Sequence, residues 1–417
     1  MSAGTGLGAG RYLAAAAMPE ATRTTAVQLT TYDGAQIAGL LRVVPGATTV
    51  AFLMHPRQDF SHHVLVPELL SQGYAVWTQG SRSIGNDLTL LHEQALLDMA
   101  AGHLHLREIG FEHVVAVGHS GGATLAAFYL QQAALAPADR LDRTPGGKRV
   151  PLPEATMPMA DGLIMFAPHP GQGALLERMI DPSVTDETDP LSVDSDLDPY
   201  DERNGFAPPP TSSRYPPEFV ERYRAAQRDR IARIDSIAWE RVEKARDAQE
   251  RFRSGANPRD RQAALASGVI VVHRTDADLR SVDLALDPND RPYGSLFGRR
   301  PDLTNFGVVG FGRLTTPEAW LSTWSANATR ADLARCAPDV DVPALLVELT
   351  GDQACFPADA ERFAALLPHP DLTHVRVPGR HFGAPLHDGM SSGATLAGQQ
   401  MGHWIGERFP TGAYVSA

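Results

Sequence analysis

A serine that could act as a nucleophile stands in the pentapeptide Gly-His-Ser-Gly-Gly at 118–122, a Gly-x-Ser-x-Gly pattern. A serine hydroxyl is a poor nucleophile at neutral pH, so it needs a base within hydrogen-bond reach and an acid that orients the base. It must also project from the fold, which a tight strand-to-helix turn with flanking glycines allows. The apolar run 114–117 and the helical pattern of 123–128 supply that context. We therefore predict that Ser120 is a catalytic nucleophile.

The base and the acid are sought after later strands, because an open α/β sheet builds its site from the loops beyond its strand ends. His381 follows the predicted last strand and is the predicted base, with His387 as the nearest alternative. Asp352 follows the preceding predicted strand and is the predicted acid, with Asp181 as the fallback. A buried carboxylate in this place would fix the imidazole tautomer and stabilise the imidazolium.

Short apolar runs alternate with helical patterns at both ends of the chain, which is typical of a mostly parallel sheet covered on both faces. The predicted strands are 24–29, 36–44, 50–54, 74–77, 114–117, 162–166, 342–349 and 372–377. The predicted helices are 61–71, 88–107, 121–135, 358–367 and 395–409. The fold class is therefore α/β, with a doubly wound sheet.

Between residues 170 and 337 this alternation stops. We predict a large, mainly helical cap or lid there, inserted into a core of 24–169 and 338–417, with 1–23 as an N-terminal arm. Its expected parts are an exposed acidic loop at 181–202, a long charged helix at 217–252, a hairpin of 269–272 with 281–286, and a helix at 316–324. The charges of the long helix indicate a solvated face, and a homodimer contact through the lid is the alternative.

The order Ser120, Asp352, His381 resembles that of the α/β-hydrolase superfamily of esterases and lipases. The resemblance covers roughly 24–168 and 340–410 and implies the α/β-hydrolase fold. It also implies an oxyanion hole, in which one donor is the amide after the nucleophile, that of Gly121.

The second implied oxyanion donor lies in the loop after the strand that ends at His55. Pro56 stands there where the family has glycine, and proline has no N–H to donate. The amide of Arg57 is therefore the predicted donor, and that of Gln58 the alternative. The Arg57 side chain could also bind a substrate carboxylate or be a surface charge.

Several residues are candidate substrate contacts because they adjoin the predicted machinery or belong to the lid. They are His55, Gln58, His119, His169 after the sixth core strand, and Trp320 and Trp324, which lie four apart on one helical face. Because the lid is large and aromatic, we expect an apolar pocket over Ser120.

These residues predict a serine hydrolase that cleaves a carboxylic ester or lactone of a hydrophobic, bulky substrate through an acyl-enzyme. C–C bond hydrolases, thioesterases, amidases and acyltransferases use the same triad, and fold and triad cannot separate them. A non-catalytic ligand receptor on the same fold is a hypothesis from another class. Haloalkane dehalogenases and epoxide hydrolases are disfavoured, because related enzymes of those kinds carry aspartate where Ser120 stands.

Composition narrows the partners and the compartment. The formal net charge of −12 disfavours a general affinity for nucleic acid or an anionic membrane. Cys336 and Cys355 cannot build a disulfide framework, which suits a reducing compartment. No apolar run approaches the length of a bilayer span, and no metal or nucleotide motif stands out. We expect a cytoplasmic protein without a cofactor.

Overall fold

The computed structural model describes residues 16–411. Its main sheet has eight strands, in the order β1-β2-β4-β3-β5-β6-β9-β10. They are β1 Arg23–Thr30, β2 Gln36–Val43, β3 Thr49–His55, β4 Ala75–Gly80, β5 His113–His119, β6 Gly162–Phe166, β9 Ala344–Leu349 and β10 Leu372–Val377. Strand β2 is antiparallel to β1 and β4, and the other neighbouring pairs are parallel.

The central strands are buried on both faces, which explains their nearly continuous apolar runs. One face, with Phe52 and Leu346, packs against Leu96 and Phe128 of covering helices. The other face packs against a second group of helices and forms a separate apolar cluster. The predicted α/β class and doubly wound, mostly parallel sheet are confirmed.

The covering helices lie where the sequence pattern changes from period two to period 3.6. They are α1 Leu65–Ser71, α2 His92–Glu108, α3 Gly121–Ala134, α10 Pro357–Leu366 and α11 Gly393–Arg408. Helices α1 and α11 pack together on one face, and α2 and α3 pack on the other. Helices α1 and α2 begin later than predicted, because turns at 60–63 and 87–89 precede them.

The chain between β6 and β9 forms a large helical insertion, which we call the cap. Its elements are α4 Gln172–Met179, α5 Pro217–Gly255, α6 Pro258–Leu265, β7 Ile270–Val271, α7 Pro301–Thr304, β8 Leu314–Thr315, α8 Pro317–Ala319 and α9 Leu333–Cys336. Helix α5 has 39 residues and corresponds to the long charged helix predicted at 217–252. Its apolar stripe of Ile231, Ile234, Ala238 and Val242 packs into the cap core, and its charged residues cover the other sides.

Two expectations about the cap are wrong. Residues 281–286 form no strand; β7 pairs instead with β8, and Arg280 is held by Asp278 at 2.6 Å in a turn before 281. The acidic segment 181–202 is not fully exposed, because Asp181 is buried in an ion pair with Arg274. The helix expected at 316–324 is present: α8 begins at Pro317 and continues as a π-helical turn, Trp320–Trp324.

The predicted division of the chain stays a prediction. Most of the predicted arm, 1–23, lies outside the described residues. Near the predicted end of the cap, Ala331, Leu333 and Cys336 pack into the same apolar cluster as α3. None of the helices in 16–411 combines the length and the apolar character that a membrane span requires.

Candidate active site

Ser120 lies at the sharp turn between β5 and α3, with a left-handed φ of 55° and a ψ of −123°. Non-glycine residues adopt such a φ rarely, and a strained turn of this kind is typical of functional sites. Two glycines make it sterically feasible. A Cβ on Gly118 would lie 2.3 Å from Ala123 Cα, and one on Gly122 would lie 2.6 Å from the Met54 carbonyl oxygen. The turn therefore holds the serine side chain beyond the strand end.

The loops after β9 and β10 bring an acid and a base to this serine. His381 Nε2 lies 3.0 Å from Ser120 Oγ, and His381 Nδ1 lies 2.9 Å from each carboxylate oxygen of Asp352. All three side chains are buried. The arrangement allows Asp352 to accept a hydrogen bond from Nδ1–H while Nε2 takes up the serine proton. The alternatives are elsewhere: His387 is exposed, and Asp181 is paired within the cap.

Backbone donors fix the orientation of the Asp352 carboxylate. Its Oδ1 accepts hydrogen bonds from the amides of Ala354 at 2.7 Å and Cys355 at 3.0 Å. From the cap, the Asn289 side chain donates to the Asp352 carbonyl at 2.9 Å. The carboxylate is therefore preorganised against the imidazole before any substrate binds.

His119 does not face the reacting side of Ser120. Its Nε2 donates to the His381 carbonyl at 2.9 Å, and its Nδ1 accepts from His63 Nε2 at 2.9 Å. These bonds hold the backbone of the loop that carries the base. His119 therefore supports the triad from behind, contrary to its assignment as a substrate contact.

The loop after β3 has a geometry that the sequence does not predict. The amides of Arg57 and Gln58 both donate to Nδ1 of His55, at 3.0 and 2.9 Å. Both predicted alternatives for the second oxyanion donor are thus engaged within their own loop. The amide of Gly121 opens α3, where first-turn N–H groups have no intrahelical acceptor.

The Arg57 guanidinium is committed to the protein. It donates to Asp87 from Nε at 2.7 Å and lies over the Trp324 ring, 4.7 Å from the centroid. Phe311 lies near it as well, at 5.3 Å. These contacts oppose the idea that Arg57 binds a substrate carboxylate, and they place its guanidinium against the fully buried ring of Trp324.

Trp320 belongs to the cap core. Its ring is fully buried, and its Nε1 donates to Asp235 of α5 at 2.7 Å. Trp320 therefore lies in the cap core, contrary to its assignment as a candidate substrate contact. Trp324 is also fully buried in the same apolar cluster, and its ring additionally contacts the Arg57 guanidinium.

His169 lies directly beside the nucleophile turn. A Cβ built on Gly121 would lie 2.8 Å from His169 Nε2 and 2.4 Å from Gln172 Nε2. His169 Nδ1 accepts from the Gly171 amide at 3.0 Å, so Nε2 carries the proton. Of the predicted substrate contacts, His169 is the one placed against Gly121.

The imidazoles around Ser120 are held neutral. Burial lowers the pKa of His169 to about 3 and that of His92 to about 4, and it lowers those of His55 and His119 well below the ordinary value. Nearby cationic groups lower the pKa of His169 further. A neutral imidazole donates a hydrogen bond from one ring nitrogen and accepts one at the other. Within 16–411, no group of three or more acidic, histidine or cysteine side chains is arranged to hold a metal ion.

Three nearby residues were missed by the sequence analysis: His63, His92 and Gln172. Their signals are weak, because they stand in different loops and helix starts without a shared spacing. His63 supports His119, and Gln172 adjoins Gly121. Only the folded sheet brings them together.

No protein-family model matches the chain, and no curated protein matches it either. Among solved structures, the chain is similar to DcsB, solved with a substrate analogue, at 15% identity, over 93% of this chain and 99% of that one, with a TM-score of 0.48. It is also similar to the α/β hydrolase GrgF from Penicillium sp. (11%, 93% and 99%, TM-score 0.47). A third is the esterase domain from Rhodothermus marinus (13%, 92% and 98%, TM-score 0.42).

We base the fold assignment on the chain's own topology. The sheet is parallel except for two antiparallel pairs at one edge, and its strand order is β1-β2-β4-β3-β5-β6-β9-β10. The serine turn follows β5, the acid follows β9 and the base follows β10. This is the α/β-hydrolase fold, with a large helical cap inserted after β6.

Proposed function

We propose that this protein is a serine hydrolase that cleaves a carboxylic ester or lactone through an acyl-enzyme. The observation that carries the proposal is the contact of Ser120 Oγ with His381 Nε2 at 3.0 Å, while His381 Nδ1 contacts Asp352 at 2.9 Å. The nucleophile, the base and the orienting acid stand in the hydrogen-bonded chain that acyl transfer needs.

In the proposed reaction, Ser120 Oγ bonds to the carbonyl carbon and its proton passes to His381 Nε2. The carbonyl π pair moves to oxygen, and the Gly121 amide donates to that oxyanion. Collapse expels the alcohol, which takes the proton from His381 and leaves an acyl-enzyme. A water then loses a proton to His381 and attacks the acyl carbon. As this second tetrahedral intermediate collapses, His381 returns the proton to Ser120 Oγ, and the carboxylic acid is released.

The proposal includes a hydrophobic, bulky substrate. Phe382 packs against the His381 ring, and Phe311 contacts Arg57; both phenylalanines are partly exposed. These rings offer apolar surface beside the base and at the rim of the site. The other large cap aromatics, such as Tyr223 and Trp320, are buried in the cap itself. The apolar surface near Ser120 is thus smaller than the cap's composition suggests.

The test combines covalent labelling with turnover. We expect a fluorophosphonate to label the wild-type protein once, at Ser120, and the protein to hydrolyse p-nitrophenyl esters of graded chain length. Ser120→Ala should abolish labelling and reduce kcat by about 10⁶-fold, because the triad acts as a unit. A folded wild-type protein that never reacts with the probe would favour a ligand receptor.

The panel also includes a thioester, an anilide and a lactone with matched acyl groups. Faster turnover of the ester or lactone supports the proposed bond. Faster turnover of the thioester or anilide would assign the same triad to the alternative bond. Ser71→Ala is a matched control. Ser71 lies on the surface at the end of α1, and its hydroxyl donates a hydrogen bond to the Glu68 carbonyl.

A further inference from the structure

The oxyanion site lacks the second backbone donor that the loop after β3 was expected to supply. The Arg57 and Gln58 amides both donate to His55 Nδ1, and Pro56 has no N–H. One amide, that of Gly121, then remains for a charge that usually requires two or more donors. In this geometry, a second donor that is free before the reaction comes from another part of the site.

The space beside the Gly121 amide is reached from the loop after β6. In a helical residue the N–H and Cα–Cβ bonds are nearly eclipsed, so an oxygen bound to the Gly121 amide lies about 3.5 Å from the position of an added Cβ. His169 Nε2 lies 2.8 Å from that same position. His169 Nε2 and an oxygen bound to the Gly121 amide are therefore separated by about 6 Å at most, and Gln172 Nε2 lies beside the same position, at 2.4 Å.

The protonation of His169 suits a donor. The Gly171 amide donates to Nδ1, which leaves the proton on Nε2, the atom next to Gly121. Burial keeps the ring neutral at physiological pH by lowering its pKa to about 3. Among the described residues, no hydrogen-bond acceptor contacts Nε2, so its proton is available to a ligand.

The position of the imidazole is rigid. Pro168 and Pro170 flank His169 and restrict its backbone. The Thr124 hydroxyl of α3 donates to the His169 carbonyl at 2.9 Å, which ties this loop to the helix that begins at Gly121. A donor fixed before the reaction needs no reorganisation when charge develops.

We propose that the Nε2–H of His169, together with the Gly121 amide, binds the oxyanion of the tetrahedral intermediate. The inference rests on the proposed acyl transfer and adds a residue to it. When Ser120 Oγ bonds to the carbonyl carbon, the π pair moves to oxygen and the serine proton moves to His381. His169 keeps its own proton and donates a hydrogen bond, so the second donor is a side chain after β6.

The experiment compares His169→Phe with His169→Gln in the full-length protein. Phenylalanine keeps the ring and removes the donor, and glutamine offers an amide N–H in its place. For His169→Phe we expect kcat to fall about 100- to 1,000-fold with KM within threefold, since the bond forms only in the transition state. Affinity for a trifluoromethyl ketone, whose adduct carries an oxyanion, should fall in parallel. His169→Gln should recover at least tenfold of the lost kcat.

The matched control is His103→Phe, which replaces another buried, neutral imidazole. His103 stacks on Tyr129 near the far end of α3 and contacts Phe52, away from the triad. Its kcat should stay within twofold of wild type. If His169→Phe fails to fold, Thr124→Val tests the same contact, with an expected tenfold loss of kcat and unchanged KM.

Three outcomes would overturn the inference and leave the hydrolase proposal intact. An unchanged kcat in a His169→Phe protein that still labels at Ser120 would return the second donor to the loop after β3. A loss confined to KM would make His169 a ground-state contact only. A 100-fold loss of kcat in Gln172→Leu, with no loss of kcat in His169→Phe, would assign the second oxyanion donor to Gln172. Failure of the wild-type protein to label would instead contradict the hydrolase proposal itself.

Discussion

The buried Asp352 carboxylate accepts hydrogen bonds both from backbone amides and from the catalytic imidazole. Its Oδ1 accepts from the backbone amides of Ala354 and Cys355, and both of its oxygens face His381 Nδ1. The amides need an acceptor, whereas the imidazole needs an acceptor that also carries charge. An amide side chain can satisfy the first requirement and fails the second.

We therefore expect Asp352→Asn to fold normally and lose activity. The Asn oxygen would face the two amides, and its NH₂ would face His381 Nδ1. That donor forces Nδ1 to accept, moves the ring proton to Nε2 and leaves no base for Ser120. We expect kcat to fall about 10⁴-fold with little change in KM, measured by steady-state kinetics, while the thermal midpoint shifts by less than 5 °C.

The control for this change is Asp371→Asn. Asp371 pairs with Arg408 near the surface, away from the triad, and its loss should leave kcat unchanged. Activity within tenfold of wild type in Asp352→Asn would contradict the role of Asp352 as the orienting acid.

At the scale of elements, the nucleophile turn depends on how closely α3 approaches β3 and β5. Gly122 passes the backbone of Met54, and a Cβ there would lie 2.6 Å from the Met54 carbonyl oxygen. Because backbone cannot rotate away as a side chain can, the start of α3 would have to move. Ser120 and the Gly121 amide would move with it.

Gly122→Ala should thus impair both stability and catalysis. Overpacking of this kind costs about 1–3 kcal/mol of unfolding free energy, and a displacement near 1 Å can lower kcat about 100-fold. Urea unfolding and ester hydrolysis would measure the two effects. Gly255→Ala is the matched control: no atom lies within 4 Å of its added Cβ at the end of α5, and alanine favours a helix. Equal stability and activity for both variants would refute the close approach.

The sequence predicted the sheet better than the cap, for a physical reason. Buried strands such as β3 and β6 are continuous apolar runs, and the long helix α5 has a repeating apolar stripe. Those signals are local. The irregular cap segments are held by partners far apart in the chain, such as Asp181 with Arg274, which no periodicity reveals. The hairpin assigned to 281–286 is absent because successive turns, closed by hydrogen bonds such as that from the Leu286 amide to the Asp283 carbonyl, occupy this segment.

The same distinction, between local signals and contacts far apart in the chain, applies to the residues of the site. Ser120, Asp352 and His381 follow strands and could be found by position along the chain. The engagement of the Arg57 amide by His55 could not, because it depends on the path of one loop. Trp320 and Trp324 show four-residue spacing, yet both rings are buried in the cap core, where Asp235 accepts a hydrogen bond from the Trp320 indole.

At the scale of the whole molecule, the cap is fastened to the loop that carries the acid. The Asp290 amide donates to the Thr350 carbonyl at 2.8 Å, and Asn289 donates to Asp352 beside it. Nearby, Asp359 of α10 pairs with Arg178 of the cap at 2.6 Å. Cap and core thus share the segment that positions the catalytic acid, so the cap contributes to the triad's geometry.

Buried histidines also set how the whole molecule responds to acid. Burial lowers the pKa values of a group of rings below that of an exposed histidine: His55, His63, His92, His103, His119 and His169. Below about pH 6.5 the unfolded chain binds protons that the folded chain excludes, so stability falls as the pH decreases. Glu93 acts with the opposite sign, because burial raises its pKa to about 7.

The variant His103→Phe tests how much one buried imidazole contributes to the loss of stability in acid. His103 has a pKa lowered to about 3, and neither of its nitrogens has a hydrogen-bond partner in the described structure. Phenylalanine keeps the stacking on Tyr129 and removes the proton that the unfolded state would gain. Between pH 6 and pH 4.5 we expect the unfolding free energy of the variant to fall less steeply than that of wild type, by about 1.4 kcal/mol per pH unit. Urea unfolding across this range measures both slopes. An unchanged slope in His103→Phe would contradict the prediction, because it would show that His103 takes up its proton equally in the folded and unfolded states.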